Sequence, residues 1–483
     1  MRTNKRRIKQ LRKRHRNTQK YNRRKYGGAD GEEEAEEKRW NNVIKNLNVE
    51  NKKRTNTIIS QSIQNRGANL VKILQSVCKN PDNCLDLGSY SDTIKRFFND
   101  FIIDKSAISY ASTPLKKLGD VSANGFVLEI PFKRDGYTAY SVLKSSTSPE
   151  SDNLLYEYYV GKNFINKYIK RLPCFVETYG LYEYDDISLY IKMLIEMKNN
   201  KVDTLDIKNH IKPLSIDGLS LDEIVKMSCE KNKRICVLIQ HFDKFRTFQD
   251  TFNNHHDSVK YDIYNILYQV YFGLAYLGNN YTHYDLHTDN VCLYKPFDGN
   301  RYILMRYHNT SNGKVIEFKS EYISKIIDYG RNYFNDGTMS TKDFVESVCK
   351  NTACSPKCGT DVGFKIITGS IGKPTFNFYW IDPVKPNTSH DLRLARILEH
   401  TIVGYVAQTF RYIDDYGTPE NNSGDKDDIT DIFNMVEALE EYIPVFNSAK
   451  QNKKYDSTWK AAATLDVYND GRDYEFNILP DTP

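Results

Sequence analysis

"YTHYDLHTDNVCLY", residues 281–294, places two His, two Asp and an Asn within eight residues and then turns apolar at Val291, Cys292 and Leu293. Such a pattern reads as a polar loop followed by a short buried strand. Just upstream, "YDIYNILYQVYFGLAYLGNN" (261–280) is strongly apolar at helical spacing and stops at Gly278-Asn279. Helix, polar loop and strand therefore follow one another without a break. Alone, the loop fits either a hydrogen-bonded surface turn or a catalytic loop, and the rest of the chain has to decide.

Upstream, "FVLEIPF" (126–132) and "TAYSVLKSS" (138–146) read as strands around an Asp135-Gly136 turn. "SDNLLYEYYVGKNFINKYIKRL" (151–172) reads as a helix capped by Ser151 or Asp152 and ended by Pro173. "CFVETYGLYEY" (174–184) and "ISLYIKML" (187–194) resemble strands, residues 195–233 a polar insertion, and "RICVLIQHF" (234–242) a buried strand. Residues 39–110 read mostly as helix, and helices return at 391–410 and 431–443. A strand-rich half followed by a helical half predicts a ligand cleft between them.

Of the 483 residues 40% are apolar, enough for a core of two or three structural units. No apolar run reaches 18 residues, and the basic N-terminus leads into no apolar stretch, so neither a membrane span nor a secretory signal is expected. Residues 1–25 hold 13 Lys or Arg and no acid, which leaves 55 basic against 62 acidic residues beyond them, a net of −7. With the acidic block "ADGEEEAEEK" (29–38), residues 1–38 read as a disordered tail. That tail would solubilise the chain, engage the nuclear import machinery, or contact nucleic acid without sequence preference. Nine Cys in a chain read as non-secreted argue against a disulfide framework. Cys349, Cys354 and Cys358 would either form a plain loop or, with His390, bind zinc.

The spacing His283-x-Asp285-x4-Asn290 matches the catalytic loop H-R-D-L-x-x-x-N. A carboxylate there accepts the proton of an attacking hydroxyl, and an amide oxygen suits a hard cation such as Mg²⁺. "SKIIDYGRNYF" (324–334) supplies Asp328-Tyr329-Gly330, which resembles D-F-G with Tyr for Phe. Turn signals in "PFDGN" and "NTSNG" between the two motifs predict an inserted hairpin. Lys144 closes the apolar run "AYSVLK", as the Lys closes V-A-I-K, and Glu157 follows on the next helix amid "LLYEYYV".

From about residue 113 to 410 the chain resembles a protein-kinase-like domain. "YEYYVGKNFINKY", "LPCFVETYGLY", "THYDLHTDNV" and "IIDYGR", with the basic tail ending in "KYGG", resemble the serine/threonine protein kinases of large nucleocytoplasmic DNA viruses. The resemblance implies an α+β, bilobal protein-kinase-like fold: a small strand-rich N-lobe at 113–242, a larger helical C-lobe at 243–450, a helical extension at 39–112 and a C-terminal extension at 451–483. It implies an ATP- and Mg²⁺-dependent phosphotransferase acting on Ser or Thr of a protein substrate. Asp285 would be the base, Asn290 and Asp328 the metal ligands, and Lys144, Glu157 and His287 further catalytic residues. Gly119, Gly125, Val127, Lys144, Gln240, His241 and Phe242 would contact the nucleotide, and Asp391 in "SHDLRLA" would brace the loop. Host cytoplasm or nucleus, or the virion itself, is the implied location, with no membrane partner.

Four features depart from the pattern. "LGDVSANGFV" (118–127) keeps Gly119 and Gly125 but lacks the middle Gly. Tyr284 replaces the Arg that pairs with a phosphorylated activation loop. His287 replaces a Lys, as in aminoglycoside- and choline-kinase-like enzymes, and no clear A-P-E is present. A small-molecule kinase and a pseudokinase scaffold therefore stand as alternatives.

Overall fold

A computed structural model describes residues 154–186, 211–231, 235–242, 246–350 apart from 311, 384–401 and 429–480, with parts of 78–146, 188–195 and 369–381. All of these belong to one compact unit, Leu70–Pro483. The tail expected over residues 1–38 and the helix expected in "WNNVIKNLNV" lie outside the described residues.

The chain is an α+β protein. After a short hairpin of β1 (Cys78–Asn80) and β2 (Asn83–Cys84) comes a six-stranded antiparallel sheet. Its strands are β3 (Lys116–Leu118), β4 (Gly125–Arg134), β5 (Tyr137–Ser146), β6 (Thr178–Tyr184), β7 (Ile211–Pro213) and β8 (Ile235–Gln240), in the order β3-β4-β5-β8-β6-β7. β4 alternates as a half-buried strand should, with Phe126, Leu128 and Ile130 buried and Val127 and Glu129 only partly so. Val127, Lys144 and Val237 are direct partners across β4, β5 and β8 and so share one face.

Helix α1 (Leu154–Asn163) packs on β6 and β8. Gly161 lets it come close, since a Cβ there would sit 2.1 Å from Thr178 Oγ1. A second helix, α2 (Leu221–Lys231), precedes β8.

The second half is built around α3 (Ile263–Leu277), an almost wholly buried helix ended by Gly278 at φ +56°. Short strands frame the loop that follows it. β9 (Arg246–Thr247) and β14 (Ile323–Ile326) flank β11 (Val291–Tyr294), while β10 (Tyr281–Thr282) pairs with β15 (Tyr333–Phe334). The hairpin between Asn290 and Asp328 is present as β12 (Arg301–Asn309) and β13 (Lys314–Ser320). After α4 (Thr341–Lys350) and the hairpin β16 (Gly369–Lys373)–β17 (Phe376–Ile381) come α5 (Arg393–Thr401) and α6 (Ile432–Phe446). α6 packs on α3, and its cap residue Asp431 accepts from the amides of Phe433 and Asn434. The C-terminal strands β18 (Lys460–Tyr468) and β19 (Glu475–Ile478) extend the inserted hairpin, with β18 parallel to β12. One continuous apolar core runs from the large sheet through α3 to β18.

Several local expectations are corrected. Ser188 and Ile191 are helical where "ISLYIKML" reads as a strand, because a short apolar run carries no decisive period. The helix expected over 151–172 ends at Asn163 and continues only as a 3₁₀ turn, Ile165–Lys167. The interval 195–233 is no mere polar insertion: β7 is an edge strand of the main sheet. Within 39–112, Cys78–Cys84 forms a hairpin rather than helix.

Candidate active site

Lys144 comes from the middle of the sheet, with strand partners on both sides. Its Nζ donates to Glu157 Oε2 at 2.6 Å and to Asp328 Oδ1 at 3.1 Å. Three segments, β5, α1 and the turn after β14, thus converge on one ammonium group. Glu157 is buried, whereas the Asp328 side chain is 37% exposed. Burial pushes the Asp328 carboxyl up, but Lys144, His283 and Arg331 outweigh it and hold the group at about 2, so it is ionised at neutral pH.

The loop 283–290 is tied down from three directions. Asp391 Oδ2 accepts from the His283 amide at 2.7 Å and its Oδ1 from the Tyr284 amide at 3.0 Å. His283 Nε2 donates to the Ile327 carbonyl at 2.9 Å, and its Nδ1 accepts from the Asp285 amide at 3.3 Å. That pair of bonds fixes the tautomer. The Asn290 side chain donates to the Asp285 carbonyl at 2.9 Å, and the Ile327 amide donates to the Asn290 carbonyl at 3.0 Å. With its NH₂ held, the Asn290 amide keeps its oxygen for a ligand, and the backbone bond to Ile327 sets Asn290 beside the residue that precedes Asp328.

Tyr284 and Asp328 are the only non-glycine residues with positive φ among the described residues, at +59° and +68°. Such backbone costs roughly 1–3 kcal/mol per residue and survives where the surroundings hold it. At Tyr284 the holding is visible: the side chain is buried, stacks edge-on to His390 at 4.8 Å, and donates its hydroxyl to the Lys385 carbonyl at 2.7 Å. Tyr329 is held likewise. Its hydroxyl accepts from the Val176 amide at 2.9 Å and lies 3.0 Å from the carbonyls of Val176 and Ile326, a role Phe could not fill.

Asp285 is the focus of the positive charge. Arg393 Nη1 lies 3.0 Å from its Oδ1, and Arg331 Nη1 lies 3.3 Å from its Oδ2. Neither arginine was singled out from sequence. Arg331 lies three residues after Asp328 in "DYGR" and Arg393 two after Asp391 in "SHDLRLA", yet nothing local says that both reach the same carboxylate. His287 Nε2 stands 3.8 Å from Asp285 Oδ1, too far for a hydrogen bond. Its Nδ1 accepts from the Asp289 amide at 3.2 Å, which leaves the proton on Nε2, facing Asp285. Burial is the main cause that pushes the His287 pKa below its ordinary value, opposed by Asp285, so the ring is a neutral donor at pH 7.

The residues expected around a nucleotide are placed unevenly. Val127 lies directly across from Lys144, and Gly125 already belongs to β4, opposite Ser146. Gly119 lies outside the described residues. The Gln240 amide donates to the Glu177 carbonyl at 2.9 Å, and its buried side chain accepts from the Glu177 amide at 3.0 Å. His241 bonds Glu129 at 2.8 Å and packs on Tyr140. Phe242 is buried against Tyr294. Cys354 and Cys358 also fall outside the described residues, and no group of three or more His, Cys, Asp or Glu among those described could hold a metal. A Mg²⁺ held by one carboxylate and one amide with phosphate oxygens needs no such group.

No family model matches the chain, and no curated protein matches it.

Proposed function

We propose that the chain is an ATP- and Mg²⁺-dependent phosphotransferase of bilobal, protein-kinase-like architecture that phosphorylates Ser or Thr of a protein substrate. The observation that carries this reading is the convergence on Lys144: Glu157 at 2.6 Å and Asp328 at 3.1 Å, from positions 13 and 184 residues away in sequence. Lys144, steadied by Glu157, suits the α- and β-phosphates of a nucleotide lying along the Val127–Lys144 face. Asn290 and Asp328 fit a hard divalent cation, which when bound would neutralise charge on the phosphates. Asp285 would accept the proton of the acceptor hydroxyl and hold that oxygen in line. Arg331 and Arg393 position Asp285 at both of its oxygens. The neutral Nε2–H of His287 is a donor for a phosphate oxygen.

A second reading, a small-molecule acceptor, is favoured by His287 standing where Ser/Thr kinases carry Lys. Mg-ATP turnover of the purified chain, compared with Asp285→Asn and followed by mass spectrometry of added proteins, separates the two. The expected result is phosphate on Ser or Thr, reduced by about 10²–10⁴-fold in the variant. Turnover without phosphoprotein points to the small-molecule acceptor. Failure of the wild type to bind Mg-ATP sinks both and leaves a scaffold.

A further inference from the structure

Lys144 accounts for the α- and β-phosphates, but a phosphoryl group in transfer spreads negative charge over three further oxygens that also call for a cation. His287 does not supply it, since burial keeps its ring neutral at pH 7. Two guanidinium groups remain beside Asp285, and they belong to different parts of the site. Arg393 opens α5, two residues after Asp391. Its charge is felt by His287, His390 and Asp391, groups of the loop and its brace. Arg331 ends the turn Tyr329–Arg331, three residues after Asp328. Its charge is felt by Asp328, whose carboxyl it helps to hold down. Its Nη1 also lies 3.3 Å from Asp285 Oδ2. Arg331 therefore reaches from the turn of the expected metal ligand to the expected base.

Phosphoryl transfer puts the metal on one side of the γ-phosphorus and the acceptor oxygen, held by the base, on the other. A side chain that touches Asp285 and bears on Asp328 borders that interval. Among the described residues Asp285 is the only carboxylate that Arg331 pairs with. The contact is longer than the roughly 2.7–2.9 Å of a charge-assisted hydrogen bond, so the hold is loose. Arg393, by contrast, donates to Asp285 Oδ1 at 3.0 Å. The Arg331 side chain is also 27% exposed, within reach of a ligand, and a guanidinium carries donors enough for a carboxylate and a phosphoryl group together. Given the phosphotransferase reading, on which this rests, we propose that Arg331 is a further catalytic residue, its guanidinium contacting the oxygens of the phosphoryl group in transfer. In that step the acceptor oxygen forms its bond to the γ-phosphorus while the bond from that phosphorus to the β–γ bridging oxygen breaks. The electron pair leaves with ADP, the acceptor proton passes to Asp285, and Arg331 meets the charge on the oxygens between them.

The test uses two measurements on the full chain: Mg-ATP turnover, and binding of Mg-ADP with aluminium fluoride, a mimic of the phosphoryl group in transfer. Arg331→Gln is expected to bind Mg-ATP as wild type does but to turn it over about 10²-fold more slowly, with KM little changed. It should also bind the fluoride complex at least about tenfold more weakly, while Mg-ADP alone binds as before. Arg331→Lys, which keeps the charge and loses the fork, should recover part of both losses. Arg393→Gln is the contrast: it should slow turnover through Asp285 and leave affinity for the fluoride complex unchanged. Unchanged turnover in Arg331→Gln, unchanged affinity for the fluoride complex, or an equal loss of that affinity in Arg393→Gln overturns the assignment. So does a wild type that binds Mg-ADP no more tightly with fluoride than without. A wild type that binds no Mg-ATP sinks the phosphotransferase reading itself, and this assignment with it.

Discussion

The molecule contains two clusters of the same composition, a lysine between two carboxylates, in very different settings. Lys144 holds Glu157 at 2.6 Å and Asp328 at 3.1 Å; Lys454 holds Asp262 at 2.6 Å and Glu321 at 2.7 Å. The second cluster is closed. Its three side chains are 7%, 0% and 3% exposed, Tyr455 donates to Asp262 at 2.6 Å, and Lys295 donates to Glu321 at 2.5 Å. It fastens the segment before β18 to the start of α3, on ordinary backbone at Asp262. The first cluster is open at Asp328, which sits on left-handed backbone at 37% exposure. A carboxylate needed only to hold the fold is best buried and relaxed. One kept strained and partly solvated retains lone pairs for a ligand.

Breaking each lysine exposes the difference. Lys144→Met is expected to lower Mg-ATP turnover by about 10²–10³-fold, the usual effect of losing one positioned charge on a reacting group. Its folding stability should fall less, because Asp328 can be resolvated. Lys454→Met should do the reverse. It strands Asp262 and Glu321 without their shared cation, so urea unfolding should show a loss of about 3–5 kcal/mol, with turnover per folded molecule unchanged. If the two variants lose stability equally and Lys144→Met keeps its turnover, the clusters do the same job and the contrast is wrong.

The two regions also differed in how far sequence could reach them. His283, Asp285 and Asn290 lie within eight residues, and the flanking helix and strand are strongly patterned, so local spacing carried most of that loop. Asp391 was reachable through "SHDLRLA", but Arg393 two residues on was not, because its partner is chosen in space. Nothing in "KAAATLDVY" says that β18 pairs in parallel with β12, some 160 residues earlier, and the Lys454 cluster follows from that docking. The apolar run at 187–194 failed for the opposite reason: its composition suits strand and helix alike, and Ile191 ends up exposed rather than in a core.

The finest contrast lies at the brace of the loop 283–290, where the buried carboxyl of Asp391 adjoins a buried histidine, His390. Burial, reinforced by Arg393 and His283, depresses the His390 pKa to about 3, so the ring is neutral in the fold. Burial raises Asp391 to about 6 in spite of His283, the two loop amides and Arg393. The signs oppose. As pH falls below about 6.5 the unfolded chain takes up a proton at His390 that the folded chain refuses, so stability is lost. Between about 6 and 3.9 the folded chain holds a proton on Asp391 that the unfolded chain releases, so stability is regained over that window. The pair therefore nearly cancels in the wild type. His390→Phe keeps the ring packed on Tyr284 and removes one side of the balance. Relative to wild type it should gain up to about 1.4 kcal/mol per pH unit below 6.5, read from urea unfolding at pH 7.5 and pH 5. A stability difference that is the same at both pH values would mean that His390 is protonated in the fold, and that the brace carries a charge its burial argues against.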